Sequence, residues 1–356
     1  MIEPAGDFMQ RAILALSREL DDVDALLETA AQPFAGLALG PWPEGPALAD
    51  ALGRGALALP TIRCDLQVAR LAVLCGSMVE RGGPASAIAP ALLERARPLL
   101  ARARELVTLR GPEDDDAAPD MRDLCLRYPA QGRALLGAEL TALALMTTLC
   151  RDKPTRIAAR RTPGLAEDLE AIEDDARSAY YVRSLLETVD DLELEVIHVE
   201  TRRGFRLRVS GVRSSFHLFT LIQGALIGDP AAGLLPGPAP DPEVVAVARG
   251  ELRYCDASSD TAAWHYAQWT AWTPEGLRPG AIDASIWGEA SPLQILPLRG
   301  VPTMLLAPKV LGARSWDVSF LGALHDAHRV ELEVTAQLDE AAVAERLAAM
   351  VRAGAD

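Results

Sequence analysis

The hydrophobic pattern of the chain changes period once, near residue 190, and this change limits the available folds more than any other feature. Before it, apolar residues recur every three or four positions, which is the repeat of an amphipathic helix. After it, residues 192–200 and 204–212 alternate apolar and polar side chains, which is the repeat of a half-buried strand. The change predicts a helical domain over residues 1–189 and an α+β domain over residues 190–356.

Five stretches of the first domain predict helices: residues 7–31, 65–82, 85–107, 130–152 and 163–189. Pro98 predicts a kink in the third helix or marks its true start, and Pro163 suits the first turn of the fifth. Residues 130–152 are apolar on nearly all sides, so we expect this helix at the centre of a bundle. The acidic residues 111–120 predict a solvated loop, and the basic run 156–161 predicts a solvated helix end.

In the second domain, the two alternating segments and their short link predict a β-hairpin. We expect a helix over residues 214–227, capped by Ser214 or Ser215, and a last helix over residues 339–354, capped by Asp339. Further strands are predicted at residues 263–272, 281–289, 301–308 and 329–337, the first two forming a second hairpin. Because strands and helices mix without regular β–α–β alternation, we expect an α+β fold with a mostly antiparallel sheet.

Composition and charge exclude several classes of protein. The chain has 50 acidic and 35 basic residues, a formal net charge of −15, which argues against a large nucleic-acid interface. It has no apolar run long enough to span a bilayer, and its first residues lack the basic segment of a signal peptide. The five cysteines are scattered without a CxxC pair, as reduced thiols are. We therefore expect a cytoplasmic protein that binds neither nucleic acid nor membranes.

Three segments of the second domain carry a family resemblance. "RRGFRLRVSGVRSSFHLFTLI", "IWGEASPLQILPLRGVPTMLLAP" and "ARSWDV" together resemble an uncharacterised family of bacterial hypothetical proteins from high-GC organisms. The likeness covers the C-terminal part of the chain, slightly less than half of it, and no activity is attached to that family. The resemblance implies that residues 190–356 form one unit and implies nothing about mechanism.

The stretch "AWHYAQWTAW", residues 263–272, holds three of the six tryptophans of the chain. In a strand, alternate side chains point to opposite faces. Trp264 and Trp272 would then supply core volume on one face, while His265 and Trp269 lie on the other. The pattern predicts His265 and Trp269 as a binding pair rather than one platform of three indoles.

Glu289, Arg314 and Trp316 are further candidates for a binding site. Glu289 follows a glycine at the end of a predicted strand, where a carboxylate projects from a tight turn. Arg314 lies two positions before Trp316, and a guanidinium both stacks on an indole and binds a carboxylate. The competing interpretation is a structural corner in which Trp316 is packed and Arg314 pairs with Glu289.

A possible metal site is "LHDAH", which contains His325, Asp326 and His328. Two histidines three positions apart can share a metal ion, with the aspartate as a third ligand. The chain offers no HExxH motif and no second pair of histidines to complete such a set. Two surface histidines before a strand are the competing interpretation.

The sequence favours binding over catalysis. Cys255 and Ser258 lie near acidic residues, but no G-x-S-x-G elbow or glycine-rich oxyanion loop accompanies them. Walker A and G-x-G-x-x-G motifs are absent as well, so we expect no cofactor. We predict a non-catalytic interaction protein, an adaptor or subunit of a bacterial multi-protein system that binds a protein partner. The alternatives are a metal-assisted hydrolase using His325, His328 and a carboxylate, and a small-ligand sensor whose aromatic residues line a pocket.

Overall fold

The computed structural model divides the chain into two compact units, Met1–Leu186 and Glu187–Asp356. It describes residues 5–32, 42–111, 120–269, 272–273, 276–277, 286–308, 315–322 and 325–352. The first unit has no strand among its described residues and is built from helices, whereas the second unit combines helices with a sheet. The predicted α+β fold, with a helical first part, is confirmed. None of the described helices is both long and apolar enough to cross a bilayer.

The first unit is a helical bundle built around one apolar helix. Its described helices are α1 (Ala5–Leu16), α2 (Val23–Ala31), α3 (Pro46–Ala58), α4 (Asp65–Glu80), α5 (Ala89–Arg110), α6 (Met121–Arg127), α7 (Pro129–Leu149), α8 (Lys153–Arg160), α9 (Leu165–Ala171) and α10 (Ser178–Leu186). Helix α7 contacts α4, α5, α6 and α10 and buries twelve of its residues. The predicted central position of this helix is confirmed.

Two helix predictions in this unit are wrong in detail, and for a third the structure decides where the helix starts. Residues 7–31 form two helices, because Asp22 caps α2 by accepting hydrogen bonds from the N–H groups of Asp24 (2.7 Å) and Ala25 (3.2 Å). Residues 163–189 also form two helices, and Pro163 lies outside α9, whose N-cap is Gly164 at φ 79°. Helix α5 continues through Pro98 instead of starting there.

The basic run 156–161 is structural rather than solvated, which corrects the sequence prediction. Arg156 is buried, and its guanidinium donates to the carbonyl oxygen of Leu149 at 2.7 Å. Arg160 donates to the carbonyl oxygen of Leu186 at 3.0 Å. The last carbonyls of a helix lack intrahelical donors, so these arginines supply donors at the ends of α7 and α10. Of the predicted acidic loop, residues 112–119 lie outside the described part of the chain.

The second unit contains one mixed sheet and short strand pairs. Its described elements are β1 (Leu192–His198), β2 (Arg203–Ser210), α11 (Ser215–Leu226), α12 (Pro242–Arg249), β3 (Thr261–Ala263), β4 (Tyr266–Trp269), β5 (Trp272–Thr273), β6 (Gly276–Leu277), β7 (Pro297–Leu298), β8 (Val301–Pro308), β9 (Ser315–Asp317), β10 (Glu331–Leu338) and α13 (Glu340–Arg352). The strand order is β10-β2-β1-β8-β4, with β7 also pairing β8. Within this sheet, β1 and β8 are the only described neighbours that run parallel; the other pairs are antiparallel. The β1–β2 hairpin and the mostly antiparallel sheet are confirmed.

Helices cover both faces of this sheet. On one face, Leu194 and Val196 of β1 pack in a core that includes residues of α11 and α12. On the other face, Ile197 packs with Val343 and Met350 of α13. The predicted caps are confirmed: Ser214 accepts a hydrogen bond from the N–H of His217 (3.4 Å), and Asp339 from that of Ala342 (2.7 Å). A strand with two covered faces needs apolar or paired side chains on both.

The tryptophan-rich stretch 263–272 is not the single strand that the sequence predicted, and the pairing predicted between it and residues 281–285 lies outside the described part of the chain. Strand β3 pairs with β9, β4 with β8, and β5 with β6. Residues 286–289 form no strand and turn at Gly288 and Glu289. Pairing with β8 places β4 last in the order of the described strands, which alternation within 263–272 does not reveal.

Candidate functional site

Aromatic side chains from three distant segments meet at the start of α11. The aromatic cluster comprises Phe216, Phe219, Trp264, Trp316 and Phe320. Trp264 lies 3.9 Å from Trp316 and 4.5 Å from Phe219, measured between ring centroids. Phe216 lies 4.5 Å from Trp316 and 6.0 Å from Phe320. Phe219, Trp264 and Trp316 are buried, whereas Phe320 is 58% exposed, so the cluster extends from the core to the surface.

Local structure explains why these rings meet. Strands β3 and β9 pair so that Ala262 lies opposite Trp316, and Trp264 comes directly after β3. A 3-10 turn follows β9 and carries Phe320; Asp317 caps it by accepting the N–H of Ser319 at 2.8 Å. Phe216 and Phe219 are three residues apart on α11 and therefore share one side of that helix. Aromatic pairs at these distances stabilise a fixed arrangement beyond their buried area.

The turn 287–290 lies against the first residues of α11. The N–H of Ser215 donates to the carbonyl oxygen of Ala290 at 2.9 Å, and that of Phe216 to the carbonyl oxygen of Gly288 at 2.8 Å. A Cβ atom on Gly288 would lie 2.1 Å from the Phe216 ring, so only glycine fits there. The turn therefore occupies backbone donors of α11 and fixes the Phe216 ring from a second side.

Three large aromatic side chains are exposed here, Phe320 of the cluster and two others beside it. We call Tyr254 (50% exposed), Trp287 (47%) and Phe320 (58%) the aromatic surface. Trp287 precedes Gly288, which contacts Phe216, and Phe216 in turn is near Phe320. Tyr254 lies against Gly322, two residues after Phe320, where an added Cβ would be 2.9 Å from the Tyr254 ring.

The predicted binding residues separate into different places. Trp316 lies within the aromatic cluster, and Glu289 is exposed on the turn that contacts Phe216. His265 is half-buried elsewhere: its N–H donates to Oε1 of Gln223 at 2.6 Å, and its ring lies 4.6 Å from that of Tyr266. Arg314 and the side chain of Trp269 lie outside the described part, so the predicted His265–Trp269 and Glu289–Arg314 pairs stay predictions.

The "LHDAH" residues are not arranged as a metal site in the described structure. His328 is buried rather than on the surface, and its Nε2 lies 3.0 Å from the carbonyl oxygen of Gly211. Nδ1 of His325 accepts the N–H of Ala327 at 3.0 Å, and Asp326 is exposed. Across the described residues, no group of three histidine, cysteine, aspartate or glutamate side chains could hold a metal ion. Two of the imidazole nitrogens are thus engaged by the backbone.

The segment 255–260 serves α12 rather than a reaction. Ser258 donates its hydroxyl to Glu243 at 2.5 Å, and Ser259 donates to Asp241, the N-cap residue of α12. Cys255 is exposed in a 3-10 turn. A serine nucleophile needs a base such as histidine positioned by a third group. The hydrogen bonds of Ser258 instead hold the loop to the first turn of α12.

Sequence reasoning missed Phe216, Tyr254 and Phe320. Phe216 was visible only as an aromatic residue at the start of a helix, and the other two lie in segments without periodicity. Comparison of the chain with protein-family models, curated proteins and solved structures found no match. Function is therefore inferred from the geometry of the second unit alone.

His217, next to Phe216, makes the second unit sensitive to pH. Its ring is fully buried, Nδ1 accepts the N–H of Arg213, and Nε2 is hydrogen-bonded to the carbonyl oxygen of Ala248. Burial lowers the pKa of His217 from 6.5 to about 4. Protonation thus favours the unfolded chain, and stability falls as the pH decreases from about 6.5 towards about 4.

We expect the free energy of unfolding to decrease by about 2 kcal/mol between pH 7.5 and pH 5 because of His217. His217→Gln should remove most of this decrease, while His325→Gln, at a half-buried site, should keep it. Denaturant titrations followed by tryptophan fluorescence would measure both, because five of the six tryptophans lie in the second unit. An unchanged pH dependence in His217→Gln would contradict the assignment.

Proposed function

We propose that the chain is a non-catalytic interaction protein that binds a protein partner through the aromatic surface. The observation that carries the proposal is the exposure of Phe320, at the surface end of the aromatic cluster, and of Tyr254 and Trp287 beside it. Such a protein would act as an adaptor or as a subunit of a bacterial multi-protein system. The described residues offer no ligand set for a metal-assisted hydrolase.

Physical arguments favour an interface at this surface. Tryptophan and tyrosine dominate the binding energy of protein interfaces, and phenylalanine is also enriched there. Aromatic side chains have only two rotatable bonds, so fixing them on binding costs little entropy. Here Phe320 lies beside Phe216, whose own position is set by Trp316 and Gly288. The partner would therefore meet a largely preformed apolar surface.

The charges near this surface indicate the chemistry of the partner. Glu289 lies two positions after Trp287, and Asp317 three positions before Phe320; both are exposed. Asp256 lies two positions after Tyr254 and pairs with Arg253 at 2.7 Å. With a net charge of −15 for the chain, complementarity favours a partner that presents apolar side chains flanked by lysine or arginine.

The proposal predicts a complex that depends on the three exposed rings. The products of neighbouring genes would be co-expressed with the chain, and any complex isolated by size-exclusion chromatography. The combined substitutions Tyr254→Ser, Trp287→Ser and Phe320→Ser should weaken that complex by about 100-fold or more, since central aromatic residues each contribute on the order of 2 kcal/mol. Isothermal titration calorimetry would measure the dissociation constants.

The matched control is Leu57→Ser, which removes a side chain that is 77% exposed on α3 of the other unit. It should leave the affinity within about twofold. Association should also slow as salt is raised, because complementary charges accelerate encounter. A complex that survives the triple substitution would place the interface elsewhere, and failure of all neighbouring products to bind would contradict the proposed function.

A further inference from the structure

A pocket of about 280 Å³ lies within the second unit, apart from the three rings of the aromatic surface. Helix α11 forms one wall with Thr220 and Gln223, and the start of α12 contributes Asp241. Trp264 and His265 form another wall directly after β3. The volume suits a molecule of several to about fifteen non-hydrogen atoms.

The polar wall on α11 is held in place by hydrogen bonds. Gln223 is buried, its Oε1 accepts the N–H of His265 at 2.6 Å, and its Nε2 donates to the carbonyl oxygen of Phe219 at 3.3 Å. Thr220, one turn earlier and also buried, donates its hydroxyl to the carbonyl oxygen of Phe216 at 3.1 Å. That hydroxyl keeps the capacity to accept a hydrogen bond. The wall is therefore formed before any ligand arrives.

The rim of the pocket is a proline-rich segment, residues 236–242. Pro238 and Pro240 line it, and their fixed φ angles limit how far the segment can rearrange. Gly237, at φ 135°, brings the backbone against the His265 ring, where an added Cβ would lie 2.5 Å from Cδ2. A stiff rim of this kind lowers the entropy lost when a ligand binds.

The pocket lining carries a negative charge. Asp241 is the single charged residue that the described structure places in the lining, and no lysine or arginine is among the lining residues. Hydrogen bonds from the Ser259 hydroxyl and from the N–H of Glu243 lower the pKa of Asp241, so the carboxylate stays ionised near neutral pH. The wall that follows β3 includes Trp264, whose buried ring packs against Phe219 and Trp316.

We infer that this pocket binds a small organic cation of the ammonium class. The Asp241 carboxylate compensates the positive charge, the two prolines contact the alkyl groups, and the Thr220 hydroxyl accepts a hydrogen bond from the polar end of the ligand. An anionic ligand would meet a carboxylate with no cation opposite it in the lining. The inference does not depend on the proposed protein partner.

Calorimetric titration of the full chain with choline, and with its neutral carbon isostere 3,3-dimethylbutan-1-ol, tests the inference at constant ionic strength. Choline should bind with a dissociation constant on the order of 1 mM or tighter, and the isostere about tenfold more weakly or worse. Asp241→Asn should weaken choline binding by about tenfold and leave the isostere unaffected. Asparagine is an equally good helix N-cap, so this variant retains its fold.

Glu243→Gln is the matched control, since Glu243 is the neighbouring carboxylate and does not line the pocket. It should leave choline binding within about twofold. Thr220→Val provides a second variant, which should weaken choline binding by about threefold through loss of the hydroxyl acceptor. Equal binding of the isostere, choline affinity unchanged in Asp241→Asn, or no heat of binding up to about 10 mM choline would overturn the inference.

Discussion

Glu195→Ala is expected to destabilise the second unit by about 3 kcal/mol, because it leaves two arginines without their common partner. Glu195 lies on β1 and is buried beneath α13. Its carboxylate accepts hydrogen bonds from Arg346 of α13 at 2.8 Å and from Arg206 of β2 at 2.9 Å. Removing one partner of a buried ion pair costs far more than the pair contributes, and here the charge of Arg346, whose side chain is 19% exposed, is left without its carboxylate.

Glu193→Ala provides the comparison on the same strand and the same face. Glu193 is exposed and lies 3.9 Å from the exposed Arg208, so its loss should cost less than about 0.5 kcal/mol. Denaturant unfolding followed by tryptophan fluorescence would measure both variants. Equal costs for the two substitutions would show that α13 does not cover Glu195 in solution.

The dependence of stability on acidic pH provides a second test of the role of Glu195. The hydrogen bond from Arg346, followed by that from Arg206, holds the pKa of Glu195 below its usual 4.5 despite burial. The carboxylate therefore stabilises the fold above about pH 4.5, and this contribution is lost as the pH falls through the lower folded pKa. Glu195→Gln should remove that acid-dependent part.

The same strand shows how far sequence reasoning extends. Alternation in residues 192–200 and 204–212 predicted the hairpin, in which Leu194 and Val196 lie in the core. The opposite face of β1 carries Glu195 and Ile197. That face is buried by α13, a helix more than 140 residues later, and local sequence carries no signal of such a partner.

The predicted helix boundaries were wrong for a different reason. Apolar spacing continues from α1 into α2 through Leu20 and Val23, so periodicity alone predicted one helix. The interruption is set by Asp22, whose side chain accepts backbone N–H groups that a continuous helix would use internally. Asp22 stands in a run of acids, "ELDDVD", where its role as a cap is not distinctive.

The candidate site could be predicted only in part. Trp316 and the Glu289 turn were singled out, yet their meeting point, Phe216, was not. Trp264 and Trp316 are brought together by two strands of three residues each, which leave almost no pattern in a sequence. Long-range pairing of short strands depends on the whole fold, whereas residue type and local period depend on the neighbourhood.

Gly137→Val is expected to destabilise the helical unit by about 3 kcal/mol, because α4 and α7 approach too closely there for a branched side chain. A Cβ atom on Gly137 would lie 2.9 Å from Cβ of Ala69 and 3.2 Å from the carbonyl oxygen of Asp65. Helix α4 cannot easily move away, since the buried Asp65 carboxylate accepts hydrogen bonds from Arg102 of α5 at 2.8 and 2.9 Å.

Gly53→Ala separates this close packing from a general effect of losing a glycine. Gly53 also lies inside a helix, α3, but nothing is within 4 Å of an added Cβ. Alanine there should stabilise the helical unit by about 0.5–1 kcal/mol, since glycine is the poorer helix former. Urea unfolding followed by far-ultraviolet circular dichroism would measure both variants. Opposite signs are expected because one site has room for a side chain and the other faces a neighbouring backbone; a Gly137→Val variant as stable as the parent would mean that α4 and α7 are farther apart.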